Sequence, residues 1–169
     1  ESKIGWSQVR PRGASANFSI IRDDAPEGAQ YARLNITDLG TNTANQSLRI
    51  GLSSEYFPVQ RGKLYNFSIK LRSPVSDKRF RPVLALDDGS KSGGHGNLNG
   101  ETIMLTDEWV TYTQQLLVPL TTNNDVPVEY ARLFLNLGGE LGNVFIDDIQ
   151  LQIDDSQVDM DGDGFSIID

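Results

Sequence analysis

The 169-residue chain has no cysteine and a single histidine. The first absence excludes a disulfide framework, a thiolate metal site and a cysteine nucleophile. The second excludes a multi-histidine zinc centre and most triad chemistry. No run of apolar residues approaches the roughly 18–20 that a membrane span requires. Positive charge is also scarce: 15 Lys and Arg stand against 23 Asp and Glu, and the pI lies near 4.6. So acidic a chain is a poor candidate for a nucleic-acid partner, because phosphate binding draws on clustered Lys and Arg. The opening ESKIGW has neither an initiator Met nor an apolar signal core, which predicts either processing or, the preferred reading, an excised piece of something longer.

What is present suits one globular domain with a short appendage: 38% hydrophobic and 22% charged residues over a length that can bury one good core. Alternation of period two recurs along it. KLYNFSIKLR sets Tyr65, Phe67, Ile69 and Leu71 against Asn66, Ser68, Lys70 and Arg72. YARLFLNL sets Ala131, Leu133, Leu135 and Leu137 against Tyr130, Arg132, Phe134 and Asn136. AQYARLNIT, SLRIGL, FRPVLAL, EWVTYTQQLLV and NVFIDDIQLQI continue the pattern, and GWSQVR and ANFSIIR read as strands. Pro82 in FRPVLAL cannot donate to a ladder, which predicts an edge, a bulge or a strand start. Turn signals such as APEG, DLGTN, VQRGK and LGGELG separate the runs, and the spacing predicts an all-β sandwich or barrel. The one long irregular piece, residues 87–100, is glycine-rich and is expected to be functional or mobile.

Alternation stops after Ile153, so the expected division is a β-sandwich over 1–153 and an acidic linker with the start of a calcium-type repeat over 154–169. Asp159, Asp161 and Asp163, followed by Gly164, match the first half of an EF-hand-type loop. The tail holds six Asp and no Lys or Arg, leaving 15 basic against 17 acidic residues over 1–153. The sandwich itself is nearly neutral.

The order of pieces, from GW through GKLYNFSIKLRS, TDEWVTYTQQL and ARLFLNLGG to NVFIDDIQL, resembles the β-jelly-roll carbohydrate-binding modules of the group that includes families 4, 9, 16 and 22. The tail resembles the DxDGDG repeats of dockerin-like and thrombospondin type 3 segments. The first resemblance implies a jelly-roll sandwich of two antiparallel sheets, a concave face that binds a glycan chain and a structural calcium. It implies no catalytic activity, and a secreted or cell-surface, bacterial setting in which the module is covalently linked to a polysaccharide-degrading enzyme.

Sugar recognition needs apolar platforms for C–H faces and planar polar side chains for paired hydroxyls. The outward residues Arg132, Phe134 and Asn136 supply both, and Arg132 and Asn136 match the family's groove positions. Arg81, Arg72 and Arg49, with Lys70, face outward on other predicted strands, and Tyr56 of SSEYFPVQ is expected to wall the groove beside an inward Phe57. His95 and Asn97 sit in the glycine-rich loop, and Trp6 and Trp109 are expected to pack at the core or rim. Asp147 shares strand parity with Phe145, Ile149, Leu151 and Ile153, and a carboxylate on an apolar face calls for a hard cation. The family pattern adds Glu1 and the Gly28 carbonyl to Asp147 as calcium ligands. Asp147 and Asp148, or Asp87 and Asp88, cannot flank one glycosidic bond, because adjacent strand residues face opposite ways. Four N-x-S/T sequons, from Asn17, Asn35, Asn45 and Asn66, are read as incidental. The expectation is a monomeric, non-catalytic module that binds a polysaccharide and contains Ca²⁺; the alternative is a sugar-independent adhesion or spacer sandwich.

Overall fold

Alternating apolar residues need a second sheet to cover them, and the chain supplies two. The computed structural model describes residues 5–22, 30–41, 43 and 48–155. Its strands, in chain order, are β1 (Trp6–Val9), β2 (Ser15–Ile21), β3 (Tyr31–Asp38), β4 (Gly51–Ser54), β5 (Phe57–Pro58), β6 (Leu64–Arg72), β7 (Arg79–Asp87), β8 (Asn97–Asn99), β9 (Ile103–Met104), β10 (Val110–Leu117), β11 (Tyr130–Asn136) and β12 (Gly142–Ile153). The first sheet runs β1-β4-β11-β7-β8, with β5 on β11 and β9 on β7; the second runs β10-β6-β12-β3-β2. Neighbours such as β4 and β11, or β6 and β12, are far apart in sequence, and every pair is antiparallel. The fold is the expected jelly-roll sandwich. Among the described residues, no helix is long and apolar enough to cross a membrane.

The core lies between the sheets. Leu34, Ile36, Phe67, Ile69 and Leu71 from the second sheet meet Leu52, Leu84, Leu133 and Leu135 from the first, each 3% exposed or less. Burying each contributes about 1.5–3 kcal/mol. The opposite parity is thereby forced outward, and on β7 and β11 it builds the site described below.

Two sequence expectations change. Pro82 lies on an inner strand, between β11 and β8, rather than at an edge. Its carbonyl accepts from Gly100 N at 2.8 Å, so its missing N–H faces the gap where β7 passes from β8 to β9. Asp147 does not share the apolar face. A bulge between Asp147 and Gln150, with Asp148 in the left-handed region at φ 46°, reverses the parity of β12. Val144 and Ile146 point into the core before it, Ile149, Leu151 and Ile153 pack against the core after it, and Phe145 and Asp147 look out of the sheet.

One buried cation supports the sheet edge. Lys78 is fully buried and donates Nζ to the Glu140 carbonyl, beside the Arg79–Glu140 ion pair at 2.8 Å. Burial pushes its pKa down from 10.5 to about 8, against the attraction of Glu140 and with a further push from Arg79. Between those two values the unfolded chain holds a proton that the folded chain has released, so stability rises with pH there. From pH 7.5 to 9.5, unfolding free energy should rise by about 2 kcal/mol more in the native protein than in Lys78→Met. Parallel slopes in urea titrations of the two would refute this. Above pH 10 the burial-raised Tyr112 hydroxyl works the other way, so the comparison stops short of it.

Candidate ligand groove

The outer face of the first sheet carries a groove of about 880 Å³. Its cause is a mismatch of side-chain size across paired strands. On β7, Val83 and Ala85 are short; opposite them on β11 stand Phe134 and Arg132, and on the other side β8 places Asn99 and Asn97. The long residues make walls and the short ones leave a floor. Arg81, paired with Asn136, closes one end, and Arg49 and Arg10 join the lining from the exposed rim.

Arg132 is held by two rings, its guanidinium carbon 4.8 Å from the centroid of Tyr56 and 4.8 Å from that of Phe134. Contact with two rings restrains the plane of the fork. The Nε atoms of Arg132 and Arg81 are buried without a hydrogen-bond partner among the described residues. Asn136 is 5% exposed, its amide set at the base of the groove. Tyr56 thus enters the site through Arg132, while Phe57 turns to pack against the core.

The glycine-rich loop forms one wall. Its anchor is Asp87, which is fully buried. One carboxylate oxygen accepts from Gly89 N at 2.8 Å and Lys91 N at 2.7 Å, and the other accepts from Gly93 N at 3.4 Å. Gly89, Lys91, Gly93, Gly94 and Gly96 all have positive φ, a run of turns that the carboxylate holds together. Gly93, Gly94 and Gly96 line the groove. His95 Nε2 bonds Ser92 Oγ at 2.9 Å and lies 3.6 Å from Asp88 and 3.9 Å from Asp87. The Ser90 hydroxyl and N–H hold the Asp88 carboxyl below its usual range. With Asp87 satisfied by three backbone donors, this acid–histidine cluster organises the loop.

The remaining predicted residues lie elsewhere. Arg72 is on β6, in the second sheet, and faces away from the groove; its guanidinium stacks over Phe145 at 4.6 Å and Trp109 at 5.8 Å. Lys70 shares that outer face, 3.9 Å from Asp148. Trp109 meets Tyr31 edge-on at 5.4 Å and Trp6 packs against the core, so neither lines the groove. Asp147 and Asp148 line a separate pocket of about 220 Å³ with Gln30 and Tyr31. Glu1, Gly28, Asp159, Asp161 and Asp163 lie outside the described residues. The sequence reading missed Gln8, Arg10, Asn99 and Asn123 as lining residues. Only Asn99 had a signal, as the alternate partner of Asn97 around Leu98.

No family model matches the chain, and no curated protein matches it in sequence. Solved structures do match in shape. A family 4 carbohydrate-binding module has a TM-score of 0.62 and 21% identity, over 88% of this chain and 86% of its own. The xylan-binding CBM22-1 domain of Paenibacillus barcinonensis Xyn10C has a TM-score of 0.61 and 14% identity, over 90% of this chain and 87% of its own. The CBM22-1–GH10 modules of Clostridium thermocellum xylanase Xyn10B, complexed with xylohexaose, match at a TM-score of 0.57 and 14% identity, over 88% of this chain and 26% of theirs. The fold is therefore that of carbohydrate-binding modules.

Proposed function

We propose that this domain is a non-catalytic carbohydrate-binding module that holds a polysaccharide in the groove of the first sheet and tethers an attached secreted enzyme to its substrate. The observation that carries it is the groove itself: Arg132, Phe134 and Asn136 from one strand, with Arg81 beside them, give an apolar surface and planar polar groups along one channel. Tethering would raise the local substrate concentration for the enzyme without any chemistry in this domain. Affinity electrophoresis against a panel of polysaccharides tests it. At least one should retard the protein, and Arg132→Ala with Asn136→Ala should weaken that retardation about tenfold or more. Mobility unchanged by every polymer defeats the proposal.

A structural Ca²⁺ at Asp147 belongs to the same reading. It is supported by Asp147 and Asp148 both bordering one small, largely apolar pocket with Gln30, where their carboxylates offer the hard oxygen donors that suit Ca²⁺. Adding Ca²⁺ to chelated protein should raise the melting temperature, and Asp147→Ala should remove the rise. A melting temperature indifferent to Ca²⁺ deletes the metal and leaves the glycan site standing.

A further inference from the structure

The groove has a charge that the chain as a whole does not. Among the described residues its lining contains four arginines, Arg10, Arg49, Arg81 and Arg132, and no Asp or Glu, although acids outnumber bases 23 to 15 in the whole chain. Among the described residues none of the four forms a salt bridge, whereas Arg61 and Arg79 are paired with Glu129 and Glu140. A desolvated guanidinium without a carboxylate is costly, and a cleft lined by one sign of charge focuses its field on what enters. Two of these arginines also bury an Nε that lacks an acceptor. Arg72 has an orphaned Nε as well, but it lies on the other face with Nη1 donating to the Asp107 carbonyl at 3.3 Å.

The apolar part of the site argues in the same direction. Among the described residues, Phe134 is the only aromatic one in the lining. One face of its ring, like one face of Tyr56, is taken by the Arg132 guanidinium. A neutral glycan relies on open aromatic faces for its C–H surfaces, and this groove offers forks of N–H donors instead.

Resting on the glycan-binding reading above, we infer that the groove selects acidic polysaccharides, whose carboxylate or sulfate groups receive the forks of Arg132 and Arg81 while Arg49 and Arg10 draw the chain in from the rim. Uronates and sulfated sugars share this chemistry, and the test separates them.

The experiment compares polymers matched except for charge: polygalacturonate with its methyl ester, and carrageenan with its desulfated form, by affinity electrophoresis and titration calorimetry at low and high NaCl. The expected result is that the charged member of one pair binds at least about tenfold more tightly than its neutral partner, and that salt weakens it. Which pair responds tells carboxylate from sulfate. Arg81→Gln, checked for an unchanged melting temperature, should cut that preference; the salt dependence of the native protein needs no variant. Equal binding of charged and neutral partners, insensitive to salt, overturns the acidic class and leaves the carbohydrate-binding reading intact. Equal binding of polyphosphate also overturns it, since charge alone would then suffice. Binding to no glycan defeats both.

Discussion

Gly51→Ala is expected to destabilise the domain by more than about 3 kcal/mol and to lower its melting temperature by roughly 10 °C. Gly51 begins β4 and pairs with Asn136 across the sheet. A Cβ at this position would overlap the Leu135 carbonyl oxygen and lie 3.2 Å from Leu137 N. Those atoms are backbone of β11 and of the residue just past its end, so no rotamer change relieves the overlap and the two strands must part. The consequence reaches the groove, because Asn136 sits at its base and Phe134 pairs with Ser53 on the same strand. Gly13→Ala is the control: φ is +77° and nothing lies within 4 Å of the added carbon, so only backbone strain of about 1 kcal/mol follows. Thermal melts of the two variants decide it. Equal small losses would mean that β4 and β11 can separate cheaply, and the account of a rigid groove floor would fail.

How much of this was legible depended on the range of the contacts involved. On β6 and β11, strict alternation put Phe67, Ile69, Leu133 and Leu135 inside and Arg132, Phe134 and Asn136 outside, and the structure keeps those faces. Parity alone, however, cannot say which of two outer faces a residue joins. Arg72 and Arg81 are both outward, but β6 pairs with β12 and β7 pairs with β11, which sends them to opposite sides of the sandwich. That division is made by pairings between distant segments. Parity also assumes an unbroken ladder. At Asp148 a single left-handed residue inserts a bulge, and every side chain after it changes sides. The groove's depth was illegible for a third reason: it comes from Val83 and Ala85 being short where their partners are long, a property of register.

Asp87→Ala should give the largest local effect, melting the loop that walls the groove. Deletion of the carboxylate leaves the N–H groups of Gly89, Lys91 and Gly93 without an acceptor in a place where Asp87 itself is fully buried. Losing charge-assisted bonds of this kind costs on the order of 3 kcal/mol. The loop's positive-φ residues are entropically costly to hold, so it should lose order before the sheets do. Hydrogen exchange should show the amides of Gly89, Lys91 and Gly93 exchanging far faster while β6 and β12 stay protected. Ligand binding should weaken alongside, since Gly93, Gly94 and Gly96 line the groove. Asp87→Asn is the sharper variant: it keeps one acceptor oxygen and turns the other position into a donor facing a donor. Its effect should fall between those of the native residue and alanine, tracking the hydrogen bonds retained. Were both variants to keep native amide protection, the loop would be held by its glycines and serines, and Asp87 would be incidental to the groove.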